Sequence, residues 1–331
     1  MKKITIKDIA REAGVSVGLV SMVLNRKPGV SSKNADKVRD VMARLNYKPN
    51  KAASMLRGGM RKTIGVITPD LANHYFSEVS RHIENVAYKE GYTVLFGSSD
   101  ERRDKISSLI DTFHADGIQG LLITPSEDCQ AEIDKALSLG MKVVTINRHV
   151  EDTDEVGYVV LDNEKATQMA LEHLIGNGYE KIEMVTNDTT LSNLRIRIEF
   201  YEKYMAEQGL ESKVNVVDEN TPEDFSALLS QARDRGVEAF LIPRGYLALY
   251  LTKAIIDNGY RIPEDFALLG FDGGLNYRLM SPTITQIIQS PQETAEESYH
   301  MLIEMMENNI PASKIHLQPS LEVGDSTKRK I

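Results

Sequence analysis

The sequence predicts an α + α/β protein, a small helical head followed by a larger body of doubly wound parallel sheets, and three observations carry that prediction. Apolar residues recur at helical spacing through roughly the first fifty positions. Beyond Lys62, short apolar runs alternate with amphipathic stretches in a βαβ rhythm. The charge reverses at the same boundary: residues 1–62 hold 15 Lys and Arg against 4 Asp and Glu, whereas the remaining 269 hold 24 against 44. In a chain of net charge −9, that division describes a basic foot under an acidic body, the distribution expected where a small segment meets nucleic acid.

The head reads as three helices. Thr5 can cap the first, with Asp8 three positions on, and Ile6, Ile9, Ala10 and Ala13 share a face until Gly14 breaks the pattern. Ser16 caps the second, in which Leu19, Val20, Val23 and Leu24 continue to Asn25 before Pro28 and Gly29. Two short helices across a glycine turn describe a helix-turn-helix. A third begins near Ser31 and packs Val38, Val41, Met42 and Leu45 before Tyr47 and Pro49. The apolar stripes are a minimal core, so function falls to the opposite face, where Lys7, Arg11, Lys33, Lys37 and Lys48 can neutralise phosphates. Asn50 to Arg57 then gives two further turns of helix, capped by Asn50, with Ala53 and Leu56 together and Gly58-Gly59 ending it.

In the body, strands are predicted over Ile64–Thr68, Thr93–Gly97, Gly120–Thr124, Lys142–Ile146, Ile182–Thr186, Ala239–Ile242 and Ala267–Phe271. Gly91-Tyr92, Gly178-Tyr179 and Gly259-Tyr260 each close a helical stretch before the next strand. About eight to eleven strands exceed one sheet and predict two lobes, with the ligand cleft beyond the carboxyl ends of the strands. Catalysis finds no support. There is no phosphate loop, nucleophile elbow or H-E-x-x-H pattern, and one cysteine, Cys129, excludes an intrachain disulfide framework and a cysteine-cluster zinc site. Neither a metal nor a cofactor is expected. No apolar run is long enough to span a bilayer and no export signal precedes the head, so a cytoplasmic, nucleoid-associated protein is expected.

The run Ile6-Lys-Asp-Ile-Ala-Arg-Glu-Ala-Gly-Val-Ser16, with Val20-Ser21, Val23-Leu24-Asn25, Val30-Ser31, Leu45-Asn46-Tyr47 and Pro49-Asn50, resembles the DNA-binding headpiece of the LacI/GalR family of bacterial transcription regulators. The body resembles that family's periplasmic-binding-protein-like core through Ile64-Gly65-Val66, Asn73 with Tyr75-Phe76, Asp162-Asn163, Arg195 and Arg197, Gly270-Phe271-Asp272 and Thr283-Ile-Thr285. The resemblance implies a headpiece at 1–49, a hinge helix and linker at 50–61, and a core at 62–331. Within the core it implies lobe 1 near 62–161 plus 291–321 and lobe 2 near 162–290 plus the tail. It places Val17, Gly18 and Met22 at base-reading positions and Ser16, Ser21 and Asn25 on the phosphate backbone. Thr5, Ser31, Asn50, Ala53 and Leu56 complete the expected DNA-contacting set. Paired hinge helices from two subunits would enter the minor groove, where Leu56 wedges between base pairs. Tyr75, Phe76, Asn147, Arg197 and Asp272 would line the cleft, Arg197 as a donor fork and Asp272 as an acceptor pair for a sugar or other polyol.

The departures from the family pattern are informative. Met22 stands where arginine is common and Leu19 where threonine is, so readout is expected to lean on thymine methyls and DNA shape. Pro243-Arg244-Gly245 replaces an Asn-Asp pair; with Arg148 nearby, two or three guanidinium groups would favour a phosphorylated or carboxylated sugar over a neutral one. Gly273 replaces a second aspartate and Gly324 an arginine. The basic stretch Lys328-Arg329-Lys330 reads as a solvated terminus. The expected protein is therefore a homodimeric regulator, by family habit a repressor, on a double-stranded operator with a sugar-like effector and no membrane partner. A regulator with a degenerate cleft, unresponsive to ligands or controlled by a protein, is the alternative. A solute-binding protein would lack the head, and an enzyme would carry the missing motifs. If Leu56 wedges the duplex, Leu56→Ala lowers operator affinity by about tenfold or more and removes DNA bending in a permuted-site gel assay, because unstacking is worth a few kcal/mol per step.

Overall fold

The computed structural model describes residues 4–24, 29–45, 47, 62–150 and 153–329. The chain divides into two compact units, Met1–Arg61 and Lys62–Ile331. The expected hinge helix, with Asn50, Ala53 and Leu56, lies outside the described residues, as does Asn25.

In the first unit, helices run over Ile6–Ala13, Val17–Leu24 and Ser32–Arg44. The Thr5 N–H and hydroxyl both donate to the Asp8 carboxylate, at 2.9 and 2.7 Å, which fixes the first helix start. Ser16 Oγ accepts from the Leu19 N–H at 3.2 Å, and Ser31 Oγ from the Asn34 N–H at 3.4 Å. Ile9, Val20 and Val38 are fully buried between the helices. The first and third helices are also joined by Arg44 and Glu12 at 3.0 Å, an exposed pair worth little beside that core.

The second unit contains two six-stranded sheets. The strands are β1 Thr63–Thr68, β2 Thr93–Ser98, β3 Gly120–Ile123, β4 Lys142–Ile146, β5 Val156–Leu161, β6 Ile182–Thr186, β7 Val214–Val216, β8 Ala239–Ile242, β9 Ala267–Phe271, β10 Thr285–Ile288, β11 Lys314–Leu317 and β12 Ser320–Glu322. One sheet has the order β11-β5-β4-β3-β1-β2 and the other β12-β10-β9-β8-β6-β7. Pairing is parallel except between β10 and β12.

Both sheets are covered on two faces, as parallel sheets require. In the first, Val79 and Ile83 of helix His74–Lys89 pack with Leu302 of helix Pro291–Glu307, while Ile106, Ile110 and Ile133 fill the other face. In the second, Ala170 and Tyr201 of helices Asn163–Gly176 and Ser192–Glu207 oppose Leu229 and Leu251 of Pro222–Arg235 and Leu247–Asp257. Asn73, Asp162 and Ser290 cap the helices that begin where the chain enters or leaves a sheet. The chain crosses between sheets after β5, after β10 and again after β11.

Twelve strands are present among the described residues, against eight to eleven expected. Three of the additional ones, β7, β11 and β12, are short strands at sheet edges whose residues are mostly half-buried or exposed, so they lack a continuous apolar signal. The lobe boundary also needs correction. Ser320 and Leu321, expected in lobe 1, belong to β12 and pair with Ile288 and Ile287 of the second sheet.

The basic tail is not a solvated terminus through Arg329. Its guanidinium donates to the Gly178 carbonyl at 2.6 Å, lies 4.8 Å from the Tyr179 ring centroid and pairs with Glu238. Gly324 also has a structural reason, since a Cβ there would stand 2.5 Å from the Thr283 carbonyl oxygen. Gly324→Arg is therefore expected to lower core stability by about 1 to 3 kcal/mol, the usual cost of overpacking, measured by urea unfolding of the chain.

Candidate functional site

The carboxyl ends of the two sheets supply one cleft. Asn147 and Arg148 follow β4, Pro243 to Gly245 follow β8, and Asp272 follows β9. Helix His74–Lys89 brings Tyr75 and Phe76, and helix Ser192–Glu207 brings Arg197. All seven sequence-predicted cleft residues, Tyr75, Phe76, Asn147, Arg148, Arg197, Arg244 and Asp272, line a single inner cavity of about 60 Å³. A larger outer cavity of about 760 Å³ shares Asn73, Phe76, Arg244, Gly245 and Asp272 with it.

Arg197 is 3% exposed, whereas Arg195, two positions along the same helix and so on its other side, is exposed. Arg197 Nε donates to Asn163 Oδ1 at 2.7 Å and Nη1 to the Pro243 carbonyl at 2.6 Å. Its guanidinium also lies 4.1 Å from the Phe271 ring centroid. Burial brings its pKa down to about 10, with the Asp272 charge acting in the opposite direction. Asp272 adopts φ +50° and accepts the Gln289 N–H on Oδ1 at 2.8 Å. Desolvation pushes its carboxyl up to about 6, although Arg197 and the Gln289 hydrogen bond pull it down. Tyr75 is held as a neutral phenol by burial and by Asp272, with its hydroxyl 3.3 Å from Thr294 Oγ1. The cleft thus opposes a buried donor fork to a carboxylate that ionises with difficulty.

Arg148 and Arg244, expected from the sequence as guanidinium groups that would favour an anionic sugar, both have partners within the chain. Arg148 Nη1 and Nη2 both reach Glu101 at 2.8 Å, and Nη1 also donates to the Pro125 carbonyl at 2.9 Å. Arg244 Nη1 donates to Asn187 Oδ1 at 2.9 Å with the guanidinium 5.0 Å from the Tyr246 ring centroid. Asn187 Nδ2 and the Tyr246 hydroxyl both donate to Glu219, the latter at 3.0 Å. Each guanidinium is tied into a group that contains a carboxylate.

Sequence reasoning missed Glu101, Asn163, Asn187, Asn193, Glu219 and Tyr246. Asn193 is the most telling, because its Nδ2 donates across the cleft to Asn147 Oδ1 at 3.2 Å while its own Oδ1 is buried without a partner among the described residues. Arg148 Nε and Gln289 Oε1 are likewise buried without partners. The position of Asn187, just past the carboxyl end of β6, was the available signal. Gly273 has a packing explanation: a Cβ would fall 2.0 Å from the Tyr277 ring, and the Tyr277 hydroxyl donates to the Gly245 carbonyl at 2.6 Å. The buried tyrosine thereby holds the loop that presents Arg244.

In the head, Ser16, Val17 and Gly18 are exposed at the start of the second helix, and Ser21 and Met22 are half-buried behind them. Thr5 and Ser31 are exposed caps, and Lys7, Arg11, Lys33 and Lys37 are exposed around them. This surface offers a small apolar and hydroxyl-bearing helix start flanked by cations.

The raised pKa of Asp272 has a definite sign for stability. Its folded value of about 6 lies above the usual 3.8, so the folded chain favours the protonated form, and stability is full below pH 4 and lost as pH rises through 6. Asp272→Asn should therefore stabilise the core by about 1 to 3 kcal/mol at pH 7, with no difference near pH 3.5, in urea unfolding at the two pH values.

Comparison with known proteins agrees with this geometry. The family described as "Bacterial regulatory proteins, lacI family" matches residues 5–50. "Periplasmic binding proteins and sugar binding domain of LacI family" matches residues 61–242, and a periplasmic binding protein-like domain matches 171–327. The chain is 26% identical over 334 residues to catabolite control protein A of Priestia megaterium, covering 98% of this chain and 99% of that protein. It is 28% identical over 335 residues to the HTH-type transcriptional repressor PurR of Mannheimia succiniciproducens, at 98% and 99% coverage. Among solved structures, the lac repressor dimer bound to operator and the anti-inducer ONPF superposes with a TM-score of 0.83 at 23% identity, covering 98% of this chain and 99% of that one. These relatives are regulators rather than enzymes. The chain belongs to the LacI family of bacterial transcription regulators.

Proposed function

We propose that this regulator is a repressor that binds a pseudo-palindromic duplex operator as a homodimer and that a small polyhydroxylated effector, seated between the core lobes, sets its grip on DNA. The cleft carries the proposal: the buried Arg197 faces the half-buried Asp272, and beside them Asn193 Oδ1 and Arg148 Nε have no partner among the described residues. Buried polar atoms of this kind are normally satisfied, and hydroxyl groups can give and accept together. The exposed Ser16-Val17-Gly18 helix start supports groove entry by the head. The operator-bound lac repressor dimer and the relative named as the repressor PurR support duplex binding, pairing of subunits and the sign of regulation.

In this reading Val17, Gly18 and Met22 touch bases, and Ser16, Ser21 and Asn25 hold the backbone. Lobe closure on the effector alters the spacing of the two heads through the hinge segments. A second reading, a regulator that no longer answers to small molecules, draws on the inner cavity, about 60 Å³ and walled by side chains that already bond one another or the backbone. The two readings separate on Arg197→Ala. With an operator selected from random duplexes, the variant should keep wild-type affinity in fluorescence anisotropy yet lose the 5-to-150-fold effector response expected of a coupling of about 1 to 3 kcal/mol. A wild-type chain whose operator affinity moves with no sugar, sugar phosphate or nucleoside favours the second reading.

A further inference from the structure

Two helices of the first lobe begin at the cleft and end beside Lys62, the first residue of the second unit and the one that leads into β1. Helix His74–Lys89 carries Tyr75 and Phe76 in its first turn, and the start of helix Pro291–Glu307 lies next to it, with the Tyr75 hydroxyl 3.3 Å from Thr294 Oγ1. Gln289, just before that second helix, donates its N–H to Asp272 Oδ1 at 2.8 Å and its Nε2 to Thr294 Oγ1 at 3.4 Å. The amino ends of both helices are therefore tied to residues that line the inner cavity.

Lengths of 16 and 17 residues carry the other ends of these helices roughly 25 Å from the cleft. There the Tyr299 hydroxyl donates to Glu90 Oε2 at 3.0 Å and the Tyr92 hydroxyl to Glu307 Oε1 at 2.7 Å, with the two rings edge to face at 6.2 Å. Burial, with the neighbouring carboxylates, holds both phenols neutral, so each remains a donor. Lys62 closes the group: its Nζ lies 4.9 Å from the Tyr92 ring centroid and 4.0 Å from Glu307 Oε1, and donates to the Glu90 carbonyl at 3.5 Å. The last turn of helix Pro291–Glu307 holds no basic residue, so Lys62 supplies the cation that a helix carboxyl end favours. The Lys62 and Glu307 side chains are 56% and 40% exposed, so the ion pair adds little to stability and acts chiefly on position.

We infer that Lys62 and Glu307 are positioning residues for the regulatory response: clasped with Tyr92 and the Glu90 carbonyl, they fasten the point where the chain from the head enters the core to the far ends of the two cleft helices. Packed helices shift as units rather than bend, so a displacement at Tyr75 or Thr294 reappears at Lys62 and moves the root of the segment that leads to the head. This rests on the proposed coupling between cleft and head, and names the contact within the core through which it passes.

Coupling is reciprocal, so it can be read from the DNA side with a selected operator duplex as the probe. An environment-sensitive fluorophore is placed on the full chain at Arg195→Cys, in a Cys129→Ser background; Arg195 is exposed and lines a cavity of about 410 Å³ that both lobes wall. Emission is compared with and without saturating duplex, so that a change in affinity does not enter. The labelled parent should change its emission on binding the duplex. Lys62→Met and Glu307→Ala, both at exposed side chains, should cut that change at least threefold with the urea midpoint unaltered, and Lys62→Arg, which keeps the cation over the Tyr92 ring, should retain it. A full emission change in Lys62→Met or Glu307→Ala, or a loss in Lys62→Arg equal to that in Lys62→Met, overturns the clasp and leaves the coupling standing. No emission change in the labelled parent overturns the inference together with the coupling on which it rests.

Discussion

A guanidinium taken out of water must be held by its surroundings, and the holding of Arg197 organises the cleft of this regulator. Desolvating such an ion costs several kcal/mol even after relaxation. Here the cost is met by neutral acceptors, Asn163 Oδ1 and the Pro243 carbonyl, and by the face of Phe271. Asp272, the carboxylate opposite, is itself pushed up to about 6 by burial. Two charged groups thus face one another with their solvation incomplete, and a ligand that donates to one and accepts from the other would improve both. In the proposed function, that incomplete satisfaction is what an effector would relieve.

The backbone makes this arrangement possible. Parallel strands bring their carboxyl ends to one edge, and two such sheets joined by three crossovers turn those edges toward each other. Asn147 and Asn193, from opposite lobes, already touch at 3.2 Å. The loop carrying Arg244 is fixed from below by Tyr277, which fits only because Gly273 lacks a side chain. The departure of this chain from the aspartate usual there is therefore a packing requirement as well as a change in the wall of the cleft.

Much of this was readable in the residues. The interior strands β4, β6, β8 and β9 were located to the residue because they are short apolar runs buried on both faces. Edge strands such as β7 and β12 were not, since half-exposed three-residue segments carry no period. The cleft residues were placed together through family resemblance, but their partners were not foreseen. Glu101 lies 47 positions from Arg148 and Glu219 lies 32 from Asn187, distances over which sequence spacing says nothing of side-chain pairing. For that reason the sequence could not show that Arg148 and Arg244 already have partners within the chain. The same long-range blindness hid the docking of Arg329 on Gly178, Tyr179 and Glu238.

The central claim is that the separation of the lobes sets the grip of the head on DNA. It can be measured without knowing the effector by placing cysteines at Asn147 and Asn193, whose side chains meet across the cleft, and bridging them with a short bis-maleimide. Affinity for a selected operator is then compared between the bridged chain and the same variant capped with a monofunctional maleimide. The account predicts affinities that differ by about 5-fold or more, the lower end of ordinary allosteric coupling. Equal affinities, with bridging confirmed by mass spectrometry, would contradict it.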